Sequence, residues 1–152
     1  MARLLVDQMC GTLVSYLRFC GHDTRYTLDD GIESDDEIES ISIEDSRRLI
    51  TRDRSLAARL DDAILIESVG IEGQLGEVCA VGIELELTRE PSRCGRCNGL
   101  LVREWDASSI PAYVPDTLDG PLFVCQDCGQ YFWIGSHWTR VKKTIDRARS
   151  KR

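Results

Sequence analysis

Four cysteines in two Cys-x-x-Cys pairs, Cys94-Gly-Arg-Cys97 and Cys125-Gln-Asp-Cys128, carry the spacing in this 152-residue chain best suited to chemistry. Two thiolates on one tight knuckle can reach the same ion, and two knuckles complete a tetrahedral Zn²⁺ site. The following residues fit such turns: Asn98-Gly99 after the first pair and Gly129 after the second. The 27 residues between the pairs are long for the simplest zinc templates but suit a zinc ribbon, where a hairpin separates the knuckles. A redox dithiol is the competing use of one pair, but it needs the pair near the start of a βαβ unit rather than two pairs flanking strands. Four protein ligands leave zinc no open position, so the expected role is structural.

A second group is made of carboxylates. Asp7 ends the apolar run Arg3-Leu4-Leu5-Val6, Asp53 follows Arg48-Leu49-Ile50-Thr51, and Asp35 or Asp36 opens a helix between the second and third strands. In an open α/β sheet, functional groups gather beyond the carboxyl ends of the strands. Carboxylates clustered there repel one another, and burial raises the cost of ionising them. A hard cation such as Mg²⁺ offsets both effects, and can activate water and stabilise the leaving oxygen of a phosphodiester. The plainer reading stays open: Asp7 and Asp53 each precede a helical run and could be N-caps, and Asp35 lies in an acidic loop.

The elements that must position these groups follow from hydrophobic periodicity. Met9, Leu13, Leu17 and Cys20 fall at helical spacing before Gly21, and Asp23 to Thr27 reads as a second strand. Ser34 and Glu37 form a capping-box pattern ahead of Ile38, Ile41 and Ile43. Leu56, Ala57 and Leu60 mark a short helix, Ala63 to Ile66 a fourth strand, and Ile71, Leu75, Val78 and Cys79 a further helical stripe. Strands alternating with helices imply a parallel sheet covered on both faces. After Pro91 the pattern changes to knuckles, Gly, Pro and aromatics, which places a boundary near residue 90.

Composition bounds the partners. No run approaches the roughly 20 apolar residues of a membrane span, and no signal-peptide pattern opens the chain. Cys10, Cys20 and Cys79 read as reduced core thiols, so a cytoplasmic protein is expected. The net charge of −7 is uneven: residues 140–152 carry seven cations and one acid, the other 139 residues a net −13. The net charge argues against simple nucleic-acid binding, the acidic body with a basic tail is a marked asymmetry, and the acidic excess also fits high-salt adaptation; composition does not separate these readings. Val141 and Ile145 stand at helical spacing in that tail, so it is either a helix with its charges outward or a solvated terminus balancing the body.

Leu5-Val6-Asp7-Gln8-Met9-Cys10-Gly11-Thr12-Leu13 and Tyr16-Leu17-Arg18-Phe19-Cys20-Gly21-His22-Asp23-Thr24 resemble the opening of the PIN-like ribonuclease domain at the C terminus of the Mut-seven exonuclease. Asp35-x-x-Ile38-x-x-x-Ser42, Leu49-Ile50-Thr51-Arg52-Asp53, the two knuckles, and Tyr131-Phe132-Trp133-Ile134-Gly135-Ser136-His137-Trp138 extend the resemblance in order to about residue 141. It implies a PIN-like three-layer α/β domain with a parallel sheet over residues 1–90 and a zinc ribbon over 91–139, which the basic tail read from composition follows over 140–152. It implies a ribonuclease dependent on Mg²⁺ or Mn²⁺, with Asp7, Asp35 and Asp53 as the catalytic metal-binding acids and RNA as the partner. Its register favours Asp35 over Asp36. The fourth acid often found near the end of the fourth strand has only Glu67 or Glu72 to match it, so one catalytic metal is expected. Arg52 and Arg54, beside Asp53, could touch phosphate or be surface charges. His137 could stack on RNA or fix the ribbon's last strand, and His22 reads as a turn residue. Tyr131, Phe132, Trp133 and Trp138 are expected to form part of the ribbon's small core, with one or two left as stacking platforms. A non-catalytic RNA- or ribosome-associated module is the alternative function.

Overall fold

A computed structural model describes residues 1–150; Lys151 and Arg152, the last two cations of the tail, lie outside the described residues. Four parallel strands, β1 (Arg3–Val6), β2 (Asp23–Tyr26), β3 (Arg48–Thr51) and β4 (Ile64–Leu65), form one sheet in the order β2-β1-β3-β4. Helices α1 (Thr12–Phe19), α2 (Asp35–Glu44), α3 (Arg54–Ala57) and α4 (Ile71–Ala80) connect or follow them. The expected alternating α/β order is therefore present.

Successive side chains of a strand point to opposite faces, which makes β1 the hinge of two cores. Leu4 and Val6 join Leu13, Val14 and Leu17 of α1 and Leu75, Val78 and Cys79 of α4 on one face. Leu5 packs with Leu49, Ile38 of α2 and Leu56 of α3 on the other. Helices cover both faces, giving three layers.

Element edges depart from periodicity where local bonds intervene. The chain after β1 first makes a 3-10 turn, Gln8–Cys10, so α1 starts only at Thr12 and Met9 is exposed. Ser34 accepts a hydrogen bond from the Glu37 N–H as the cap of α2, but only Ile38 of the expected stripe is fully buried, and Ile43 is exposed.

Beyond residue 90 a three-stranded antiparallel ribbon forms from β5 (Leu101–Glu104), β6 (Leu122–Cys125) and β7 (Tyr131–Trp133), in that order. Helix α5 (Ser136–Ser150) then returns to the α/β body, where Trp138, Val141, Ile145 and Ala148 enter the larger core beside α4. Those four positions share one face of a helix, and the cations occupy the others. Of the two readings of the basic tail, the helix is the one observed. Two aromatics expected in the ribbon's own core belong elsewhere: Trp138 lies edge-on to Phe19 of α1 at 5.3 Å, and Phe132 packs against the same α/β cluster.

Candidate metal centre and strand-end carboxylates

The two knuckles have the same local build. Cys94 N–H donates to Gly99 C=O and Asn98 N–H to Cys94 C=O; Cys125 N–H donates to Gln130 C=O and Gly129 N–H to Cys125 C=O. Closing each turn requires a left-handed residue just after its second cysteine, supplied by Asn98 (φ 76°) and Gly129 (φ 77°). Gly99 serves a different need, because a Cβ there would lie 2.7 Å from the Cys125 Sγ.

The folded knuckles bring four sulfurs within 4.8 Å of one another. Cys94 and Cys128 Sγ are 3.7 Å apart, and Cys97 and Cys125 Sγ 3.4 Å. Bonds of about 2.3 Å to a tetrahedral ion place sulfurs about 3.8 Å apart, so the donor set fits Zn²⁺. Asp127 and Cys128 N–H groups approach the Cys125 Sγ at 3.4 and 3.5 Å. Burial pushes the Cys94 and Cys97 thiols up; at Cys125 burial acts the same way, but N–H donation from Cys128 and Asp127, with the neighbouring thiols, outweighs it and holds that thiol down. Four sulfurs so close cannot all ionise without a cation to offset their repulsion. This cluster can hold one zinc ion.

The carboxylates are arranged differently. Asp7 is 7% exposed and is the only acid among the buried polar residues described. Its Oδ1 accepts from the Gln8 N–H at 2.8 Å and its Oδ2 from the Thr51 hydroxyl at 2.8 Å. The Thr51 Oγ1 in turn accepts the Asp53 N–H at 3.1 Å. One buried hydroxyl on β3 thus ties the acid after β1 to the backbone of the acid after β3. The Asp53 Oδ1 caps α3, accepting from Ser55 N–H, Ser55 hydroxyl and Leu56 N–H. Those bonds, the Ser55 hydroxyl foremost, hold Asp53 below the ordinary carboxylate value. Both acids are N-caps as well as strand-end groups, so the two sequence readings were not exclusive.

Asp35 stands in the first turn of α2, half-buried, and its side chain makes no hydrogen bond or ion pair among the described residues. Asp36 is turned to Arg59, 2.8 Å away. The three expected acids do not converge as the cysteines do: among the described residues the four cysteines alone form a group of three or more potential metal ligands within 4.8 Å.

The remaining candidates fall in several places. Arg52 is half-buried and donates to the Ser68 carbonyl, while Arg54 is exposed and pairs with Glu67 at 2.7 Å. Glu72 faces Arg147 of α5 at 3.3 Å. His137 does not fix the ribbon's last strand. It is an exposed residue in the first turn of α5, edge-on to Phe19 at 6.1 Å, because the helix begins earlier than the aromatic pattern suggested. His22 sits in the turn before β2 but is buried, its Nδ1 accepting from the Ala2 N–H and its Nε2 2.6 Å from the Glu84 carbonyl. Cys10, Cys20 and Cys79 are all buried thiols. Burial, with the Asp7 charge next in weight, pushes Cys10 up to about 11, so it is no nucleophile at neutral pH.

Thr51 is the residue that reading the sequence passed over. Its one signal there is a hydroxyl at a strand position where a fully buried parallel sheet otherwise takes aliphatic residues.

No helix among the described residues is long and apolar enough to cross a membrane. No curated protein and no solved structure matches the chain. A model of the Mut7-C RNAse domain does match, over residues 2–145, from just before β1 into the last turns of α5. That span takes in the three-layer sheet, both knuckles and the return of α5 as one continuous match, and on it the chain belongs to the Mut7-C RNAse domain family.

Proposed function

We propose that the protein is a cytoplasmic, metal-dependent ribonuclease that hydrolyses RNA phosphodiester bonds at the carboxyl edge of its parallel sheet. The observation that carries this reading is Asp7. A buried carboxylate ordinarily needs a cation or a full set of donors. Asp7 forms no ion pair among the described residues and has only two neutral donors. Asp23 makes the contrast on the opposite edge: it is paired with buried Arg47 at 2.9 Å. A cation from solution would complete Asp7, and hard carboxylate donors suit Mg²⁺ or Mn²⁺ better than zinc.

Asp7 and Asp53 would hold that ion, since Mg²⁺ takes one or two carboxylates and keeps several waters, with Asp35 reaching it through water or by a side-chain turn. A divalent ion there supplies activation of water for attack on phosphorus and stabilisation of the leaving oxygen. The chain's own part is preorganisation. Thr51 fixes the Asp7 Oδ2, and the cap of α3 fixes the Asp53 Oδ1 while its Oδ2 takes no hydrogen bond among the described residues. Arg52, Arg54 and His137 are the cations and ring available to the substrate. In this reading residues 1–90 carry the chemistry, and residues 91–139 are a ribbon folded by one structural zinc at Cys94, Cys97, Cys125 and Cys128.

The test is cleavage of a labelled RNA in Mg²⁺ or Mn²⁺ by variants checked for folding. Asp7→Asn and Asp53→Asn should each abolish cleavage, and Asp35→Asn should cost more than Asp36→Asn. An Asp7→Asn protein that cleaves at the wild-type rate refutes the assignment. That the three acids do not gather within 4.8 Å favours one alternative, an RNA-binding module without turnover. Wild-type protein that binds RNA but leaves it intact in either metal would establish that alternative.

A further inference from the structure

Resting on the ribonuclease reading, we infer that single-stranded RNA runs through the groove between α1 and the first zinc knuckle, so that the knuckle is a wall of the substrate site. The groove has a volume of about 400 Å³ and is lined by Gly11, Tyr26, Arg18, Asp29, Arg96 and His137. A second hollow of about 340 Å³ shares Arg18, Tyr26, Asp29 and Arg96 with it, so the surface is continuous along the knuckle.

One end of this groove adjoins the turn that Asp7 caps. The Tyr26 hydroxyl donates to the Gln8 carbonyl at 3.1 Å, which lays the ring across the 3-10 turn that begins at Asp7. Gly11 permits that approach, because a Cβ there would collide with the Tyr26 hydroxyl and force one of them aside. The other end is the knuckle itself. Arg18 donates to the Gly95 carbonyl at 3.0 Å, and Gly95 rests so close on the Phe19 ring that any side chain would clash.

The charge in the groove is of the right kind for a phosphate backbone. Seven of the 16 arginines of this acidic protein are spent on carboxylates: Arg3, Arg25, Arg47, Arg54, Arg59, Arg103 and Arg147 all form ion pairs. Arg18 and Arg96 do not. Arg18 is buried and held by two backbone carbonyls, so it lends charge from beneath the groove, whereas exposed Arg96 donates only to the Gln130 side chain at 3.2 Å and is the cation open to phosphate. Tyr26 and His137 add flat rings on which bases can stack, the usual partner of a basic track in single-strand binding. Asp29 is the opposing charge, able to accept from a base amino group while repelling phosphate. A larger hollow, about 770 Å³ in the loop between β5 and β6, has the opposite character. Glu104, Asp116 and Asp119 line it, and its Arg103 is already paired with Glu90.

The test is fluorescence anisotropy with a labelled single-stranded oligoribonucleotide and a hairpin of the same length, using Asp7→Asn protein so that cleavage cannot interfere. Arg96→Glu should weaken single-strand binding at least about tenfold and flatten the slope of log affinity against log salt by about 0.7 for each phosphate no longer neutralised. His137→Ala should cost about fivefold or more if a base stacks there. Asp29→Asn should tighten binding. Arg96 and His137 are surface residues, so loss of fold is not expected, and circular dichroism verifies that. Unchanged affinity and slope in Arg96→Glu, or preference for the hairpin, overturns the groove while leaving the Asp7 cleavage test to decide the ribonuclease reading separately.

Discussion

Asn98 is the joint between the two parts of the protein, and its replacement tests the packing directly. Its Nδ2 donates to the Asp23 Oδ1 at 2.7 Å, and its Oδ1 accepts the Thr24 N–H of edge strand β2 at 2.9 Å. A hydrogen bond to a charged acceptor contributes about 1.5–3 kcal/mol, and a buried N–H left unpaired costs about 1–3 kcal/mol. Asp23 keeps Arg47, and water can reach an edge strand, so both belong at the low end. Asn98→Gly keeps the left-handed turn and should destabilise by about 2–3 kcal/mol. Asn98→Ala loses the same bonds and adds about 1 kcal/mol for a Cβ at φ 76°. Urea unfolding at fixed excess zinc gives both values, and hydrogen exchange should show the Thr24 amide losing protection. If Asn98→Gly lies within about 0.5 kcal/mol of wild type, or Ala proves milder than Gly, the joint does not work as described.

Three further outcomes follow from the same geometry. Burial alone would raise Asp23, but hydrogen bonds from Arg47 and Asn98 hold it below the ordinary value, and Arg47 foremost does the same for Asp45. A depressed folded value contributes stability above the unfolded value of about 3.9, which is lost as pH falls through the folded value. Acid unfolding below about pH 4 should therefore be shallower in Asp23→Asn than in wild type. Zinc chelation should unfold the ribbon while the four-stranded sheet persists in circular dichroism, since binding energy is folding energy in such modules. Metal analysis well below one zinc per chain, in protein purified without chelator, would contradict that. Ile145 is 1% exposed in the larger core, so Ile145→Ala should cost about 2–5 kcal/mol by thermal or urea unfolding. A smaller loss than for an exposed site would mean that α5 does not pack on α4.

The knuckles, the strands and the strand-end acids could all be read from the chain because each depends on neighbours a few residues away. A Cys-x-x-Cys turn needs its own left-handed residue, and a strand next to an acid declares its edge by local periodicity. Asp7 and Asp53 could even be read as caps, and both are. The family resemblance ordered these pieces, and the match over residues 2–145 bears it out.

What periodicity could not reach lies between distant segments. Thr51 matters because parallel pairing sets β1 beside β3, bringing residue 51 to residue 7. Asn98 grips β2 across 74 positions of sequence, and Trp138 leaves the ribbon for the α/β core because α5 turns back along α4. His137 stands in the first turn of α5 rather than fixing the ribbon's last strand. The sequence alone determined the set of four cysteines that can hold a metal and their local turns, since those are set by spacing and backbone sterics. Only the tertiary structure decided that four sulfurs meet while three carboxylates stay apart, because convergence depends on how separate elements pack, and packing is a property of the whole chain.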